Sequence, residues 1–208
     1  MVLGVGARGG PGTCDMVRAM NTKTNIRVGA VLLGVALAAP ASGAAFTLTS
    51  ADFKNNAAIA DKSAADTFGC TGQNVSPALE WKNAPAETKS FALLVHDPDA
   101  PTGGSGFWHW LVYDIPATTT SLPAGAGSKG GAMPAGAVQA RSDYGVAGYG
   151  GPCPPPGSGK HHYNFTLYAL KVEKLKLPPN ASDAVIGYMI NTNAIGKAKL
   201  TGTYERKK

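Results

Sequence analysis

The stretch that decides the fold is Phe91-Ala-Leu-Leu-Val-His-Asp-Pro-Asp-Ala-Pro-Thr-Gly-Gly-Ser-Gly-Phe-Trp-His-Trp-Leu-Val-Tyr-Asp-Ile-Pro116. Two short apolar runs, Phe91 to His96 and Trp108 to Ile115, are each stopped by proline, so they read as strands rather than helix. Between them, Asp97-Pro98-Asp99-Ala100-Pro101 is a stiff turn, because two fixed proline φ angles limit what the acids can do. Under the period-two rule His109 points to the face opposite Trp108 and Trp110.

Further strands follow on either side. Tyr163 to Leu170 alternates apolar and polar residues, and Leu200 to Arg206 reads as a short terminal strand. One helix is expected after Pro178-Pro179, capped by Asn180, with Asp183 in its first turn. Val185, Ile186, Met189, Ile190, Ile195 and Ala198 keep helical spacing. The fold class is therefore mainly β.

The chain has 208 residues, 44% hydrophobic and 15% charged, which suits one domain with an ordinary core. From Met20, Lys23 and Arg27 form a basic start, Val28 to Leu37 an apolar stretch, and Ser42-Gly43-Ala44 a small-residue cleavage site. Residues 20–44 thus read as a signal peptide, residues 1–19 as a mis-assigned upstream extension, and 45–208 as a single domain. The apolar stretch is shorter than the roughly 20 residues a spanning helix needs. Export to the periplasm or beyond follows as an expectation.

Without that leader, the 19 basic residues fall to 15 and the 13 acids to 12. So mild a surplus does not point to nucleic acid. Cys70 and Cys153 remain as an even pair in a chain bound for an oxidising compartment, where a disulfide is the natural expectation.

Residues 118–140 and 142–160 lack periodicity and are rich in Gly, Pro and Ala, a mark of functional or mobile loops. The segment Gly148-Tyr-Gly-Gly-Pro-Cys-Pro-Pro-Pro-Gly-Ser-Gly-Lys-His-His-Tyr163 joins such a loop to two histidines. Backbone N–H groups near Gly150 and Gly151 offer an anion nest. Tyr113, Tyr149 and Tyr188 read as core packing ahead of an oligomer contact.

Three other chemistries compete for these residues. A hydrolase would use Asp97, His109 and Ser105, yet Gly103-Gly-Ser-Gly106 lacks a strand-turn-helix elbow. A metal could take Asp97, Asp99, His109 and His161, although no close ligand spacing supports it. Gly157-Ser-Gly-Lys160 fails as a nucleotide loop, with Pro154 where the first glycine belongs and His161 where Ser or Thr is needed. Neither cofactor nor metal is expected.

Taken together, Gly72-Gln-Asn-Val-Ser-Pro-Ala-Leu-Glu-Trp81, Asp97 to Pro101, Trp108-His109-Trp110, Ser142-Asp143-Tyr144-Gly145, Gly148 to Gly157 and His161-His162-Tyr163 resemble the phosphatidylethanolamine-binding family, in its bacterial Raf kinase inhibitor-like branch. The resemblance spans nearly the whole chain after the leader. It implies a central antiparallel sheet, a smaller second sheet, peripheral helices and a small anion pocket for a phosphoryl or phospholipid-headgroup-like ligand. Matched to the family's motifs, Asp97, Asp99, Pro101, Trp108, His109, His161 and Tyr163 fall at the pocket, with Gly150, Gly151 and Pro152 on its rim. It also implies a binding protein rather than an enzyme, admits a kinase- or protease-modulating role toward a protein partner, and admits a homodimer.

Protonated His109 and His161, with the Tyr163 hydroxyl, are expected to donate to an oxyanion while Asp97 orients a histidine. Binding should then weaken as pH rises through the histidine pKa. His162 stands where the family usually has arginine, and Asn193 where its last helix commonly has histidine. The first change removes a fixed charged fork that could brace the loop.

Overall fold

The computed structural model describes Gly43 to Pro178 and Asn180 to Lys208. The leader expectation, apart from its last two positions, lies outside the described residues.

Among the described residues nine strands build two sheets. The small sheet places β1 (Thr47–Thr49), β3 (Leu79–Lys82) and β6 (Ser121–Leu122) in the order β1-β3-β6. The large sheet adds β2 (Ala57–Ala58), β4 (Ser90–Asp97), β5 (Phe107–Pro116), β7 (Val138–Gln139), β8 (Lys160–Leu170) and β9 (Ala194–Glu205), in the order β2-β9-β8-β4-β5-β7. Its pairings are antiparallel except β2 with β9.

Both faces of the large sheet are covered, which is why β4 is a continuous apolar run rather than an alternating one. On one face Phe91, Leu93, Val95, Trp110, Val112 and Phe165 pack with Leu48, Leu79 and Trp81 of the small sheet. On the other, Ala92, Leu94, Leu111 and Leu170 meet Ile186 and Ile190 of α1 (Asp183–Asn193). The mainly β architecture with two sheets is as expected; among the described residues the helical part is α1 and one 3-10 turn, Asp61–Ser63.

The helix differs in detail. Ser182, not Asn180, caps it, accepting a hydrogen bond from the Val185 N–H at 3.4 Å. It ends at Asn193, so Ile195 and Ala198 belong to β9. Ala198 fits a helical stripe, but Lys197 and Lys199 alternate outward around it, and pairing with all of β8 wins. Tyr149 is buried as expected, whereas Tyr188 is 68% exposed on the outer face of α1.

Cys70 and Cys153 form a disulfide, with Cα atoms 5.9 Å apart. Closing 83 residues of separation stabilises the fold by about 4 kcal/mol through the unfolded chain.

Candidate functional site

At one end of the large sheet, β4, β5 and β8 open onto a cavity of about 290 Å³. Its polar floor is Asp97, His109, His161 and Tyr163, and its walls include Phe68, Phe107, Tyr144, Pro101, Pro154 and Pro155. No lysine or arginine is among the lining residues.

A β-bulge places His109. Val95 pairs with Trp110 and His96 with Trp108, so His109 is the extra residue on β5. The bulge breaks the period-two expectation: Trp110 joins the core with the small sheet, while Trp108 lies on the helix side against His96, ring centroids 4.2 Å apart. Trp108 is therefore not a cavity residue. His109 instead meets Phe107 and Tyr163 at centroid distances of 5.1 and 5.0 Å.

Buried to 3% exposure, His109 donates Nδ1–H to the Gly150 carbonyl at 2.8 Å. Since a carbonyl only accepts, Nε2 is left with its lone pair. Desolvation lowers the imidazole pKa to about 4. The expectation of a protonated His109 near neutral pH is thus corrected, because burial outweighs the nearby Asp97 charge.

Asp97 orients the other histidine. His161 Nδ1 lies 2.7 Å from Asp97 Oδ2, with both side chains under 5% exposed. The second carboxylate oxygen, Oδ1, accepts the Asp99 N–H at 2.8 Å, closing the turn that the prolines stiffen. His161 Nε2 is 3.0 Å from Ser158 Oγ, so both ring nitrogens have internal partners. Ser158, His161 and Asp97 follow a hydrolase triad in connectivity, but the Pro155 carbonyl, 2.8 Å from Ser158 Oγ, competes with His161 Nε2 for the single hydroxyl proton. The Ser105 alternative does not assemble: Ser105 bonds Thr102 and Gly106, and Asp97 serves His161.

Asp99 turns away from the cavity. Its Oδ2 accepts from the His162 backbone N–H at 2.7 Å and from His162 Nδ1 at 2.8 Å, and this pairing lowers the Asp99 pKa against the opposing effect of desolvation. His162 thereby braces the acid turn although it lacks the arginine fork. Asn193, the other departure, donates within its own helix to the Met189 carbonyl.

The glycines on the rim do not form an anion nest. Gly150 N–H donates to the His109 carbonyl at 2.9 Å and Gly151 N–H to Asn74 Oδ1 at 2.7 Å, so both donors are spent. Their role is close approach: a Cβ at Gly150 would sit 2.1 Å from the Tyr144 ring, and at Gly151 2.2 Å from the Ser63 carbonyl. Pro152 accepts the Ala65 N–H through its carbonyl.

Tyr163 completes the floor. Its side chain is buried, and its hydroxyl lies beside the Asp97 carboxylate without a well-formed hydrogen bond to any described residue. Burial and the Asp97 charge raise its pKa, so the phenol keeps its proton as a donor. Sequence reading did not place Tyr144, Phe107 or Phe68 in the cavity, nor Ser158 beside it. Tyr144 donates to the Gly151 carbonyl at 2.7 Å and stacks on Phe68 at 5.7 Å. Only its place in the Ser142 to Gly145 motif marked it beforehand.

A sequence model described as phosphatidylethanolamine-binding protein matches residues 49–205. The chain belongs to the phosphatidylethanolamine-binding protein family. The Escherichia coli K12 protein YbcL is 51% identical over 168 residues, covering 80% of this chain and 91% of YbcL. Its crystal structure superposes with a TM-score of 0.75, covering 79% of this chain and all of the other. YbhB of the same organism is 41% identical across 76% of this chain and 98% of its own. A Chlamydia trachomatis homologue of the family, CT736, gives a TM-score of 0.67 at 33% identity, covering 78% and 99%.

Proposed function

We propose that this family member is an exported binding protein whose cavity holds a phosphoryl-type oxyanion or phospholipid headgroup without turning it over. The observation that carries the reading is the buried Tyr163 hydroxyl, a donor that makes no well-formed hydrogen bond on the polar floor of an aromatic-walled cavity. Leaving such a group unpaired costs about 1–3 kcal/mol, which a ligand acceptor would recover. Ser105 offers no hydroxyl proton to a histidine, and the Pro155 carbonyl competes with His161 for that of Ser158, which favours binding over hydrolysis.

Export is supported by the Cys70–Cys153 bond, which suits an oxidising compartment. It is also supported by 44% identity over 139 residues to a Mycobacterium tuberculosis protein named putative lipoprotein LppC, covering 66% of this chain and 64% of that protein.

The test is a calorimetric titration with inorganic phosphate and phosphoethanolamine. Saturable one-site binding that weakens about tenfold in Tyr163→Phe, with no product formed, is the expected result. Binding unchanged by Tyr163→Phe, or release of product, would overturn the reading.

A further inference from the structure

Residues 66–71 form a flap at the mouth of the cavity. At its base the Ala65 N–H donates to the Pro152 carbonyl at 3.0 Å and the Gly72 N–H to the Ala65 carbonyl at 2.8 Å. At its tip the Cys70 N–H donates to the Thr67 carbonyl at 2.9 Å, closing a four-residue turn. The two central residues, Phe68 and Gly69, have φ of 51° and 73°, the mark of a type I′ turn. That turn favours Asn, Asp or Gly at its first central position, so the Phe68 ring is held there against its own preference.

What holds the turn is a short set of contacts. The Cys70–Cys153 bond fastens it to the loop that walls the cavity. Arg206 Nη2 donates to the Gly69 carbonyl at 2.8 Å, and the Phe68 ring, 70% exposed, lies on Tyr144. Asp66, Thr67 and Gly69 are exposed and bury nothing. A segment with so little apolar burial opens locally once its cross-link is gone.

The bond is both reachable and polarised. Cys70 and Cys153 are half-buried rather than buried. Arg206 Nη1 lies 3.6 Å from Cys153 Sγ, whereas among the described residues no donor meets Cys70 Sγ. A neighbouring guanidinium favours a thiolate. In thiol–disulfide exchange the better-stabilised thiolate is the better leaving group. Cys153 is therefore the sulfur that departs and Cys70 the one attacked.

We infer that the Cys70–Cys153 bond is a redox-operated latch on the cavity mouth: a dithiol reductant attacks Cys70 Sγ, Cys153 leaves as a thiolate beside Arg206, and the freed turn carries Phe68 off Tyr144. The reductant's second thiolate then attacks its own sulfur in the mixed disulfide and releases Cys70. The dithiol ends as a disulfide, its two electrons are on the two cysteines, and its two protons pass to them through solvent. The carbonyl oxygens of Thr67 and Phe68 lie 3.5 and 3.7 Å from Cys153 Sγ. They repel the new thiolate, which moves the turn away once the bond no longer enforces that approach. The consequence for a ligand rests on the binding reading above; the latch itself does not.

Partial reduction of the mature protein with glutathione, quenched with iodoacetamide and read by peptide mass spectrometry, tests the direction of attack. Glutathione should sit on Cys70 and the alkyl group on Cys153 in about tenfold excess over the reverse. An even split, or the reverse assignment, would overturn it. Reduction by dithiothreitol should be about fivefold slower in Arg206→Gln and nearer to wild type in Arg206→Lys. Faster reduction in both variants would leave Arg206 a brace and nothing more.

Chymotrypsin should cut after Phe68 at least about tenfold faster in the reduced protein than in the oxidised one, with the rest of the chain protected. Equal rates would show that the bond does not hold the turn, and cutting throughout would show that it holds the whole fold; either result sinks the latch. Phosphoethanolamine should bind the reduced protein about fivefold more weakly, because a loosened mouth must be ordered again on binding. Unchanged affinity after the cut has appeared would remove the link between latch and cavity. If the oxidised protein binds no phosphoethanolamine, the binding reading fails, while trapping and proteolysis still judge the latch.

Discussion

Two hollows flank β5, and the larger is the more polar. The cavity at Asp97 and His109 holds about 290 Å³ behind aromatic walls, and its acid and histidines are buried with fixed partners. The cleft between the Gln139–Gly145 segment and the start of α1 holds about 830 Å³, and its Arg141, Asp143 and Asp183 face a far more polar surround. In the cleft, partial burial and a shared hydrogen bond with Asp143 raise the Asp183 pKa to about 6, while Arg141 opposes the rise. In the cavity, burial lowers His109 to about 4. The difference teaches that removal from water, rather than volume, shifts the protonation of the groups lining a hollow and fixes their partners.

The largest effect expected from breaking this contrast lies at the mouth of the cavity. Replacing both cysteines, Cys70→Ser with Cys153→Ser, should lower stability by about 4 kcal/mol in a denaturant titration. The same substitutions should release Phe68 and weaken the binding of phosphoethanolamine. Asp97→Ala comes next, at about 3 kcal/mol, because it strands a buried histidine and frees the Asp99 N–H. Asp143→Ala in the cleft should cost less, since solvent takes the place of the lost carboxylate. Equal losses would show that the two hollows are not electrostatically different.

The pH response sharpens the comparison, because the signs are opposite. His109 has a folded pKa below its ordinary 6.5, so the unfolded chain binds the proton first. Its contribution is complete above pH ~6.5 and about 3 kcal/mol is lost as pH falls toward 4. Urea unfolding between pH 7 and 4 should show that loss in the wild type and a smaller one in His109→Gln. Asp183 behaves in reverse: its folded pKa is raised, so stability is greatest below pH ~4 and declines as pH rises through about 6. Asp183→Asn should therefore stabilise at pH 8 and be neutral at pH 4. The gain should be under about 1 kcal/mol, because the carboxyl is partly open to solvent.

Much of this frame was legible in the residues. Phe91 to His96 and Trp108 to Ile115 became the centre of β4 and β5, and the proline stops fell at strand ends. The helix was found but overrun, since Ile195 and Ala198 satisfy a helical stripe as well as they satisfy β9. Within the site, Asp97, His109, His161 and Tyr163 do meet at one floor, whereas Trp108 and Asp99 face elsewhere. A single bulged residue reversed the facing of one tryptophan, and no local pattern announces a bulge.

By itself the sequence determined the strands and the acid turn, because those follow from local periodicity and residue chemistry, while the set of side chains proposed to meet an oxyanion came from the resemblance of its motifs to the family's. Only the tertiary structure decided which of their hydrogen-bonding atoms stay free. Gly150 and Gly151 read as open donors until His109 and Asn74 took them, and His109 read as a cation until burial stripped its water. Partner assignment depends on contacts 41 and 77 residues apart in the chain, and desolvation on everything packed around the ring.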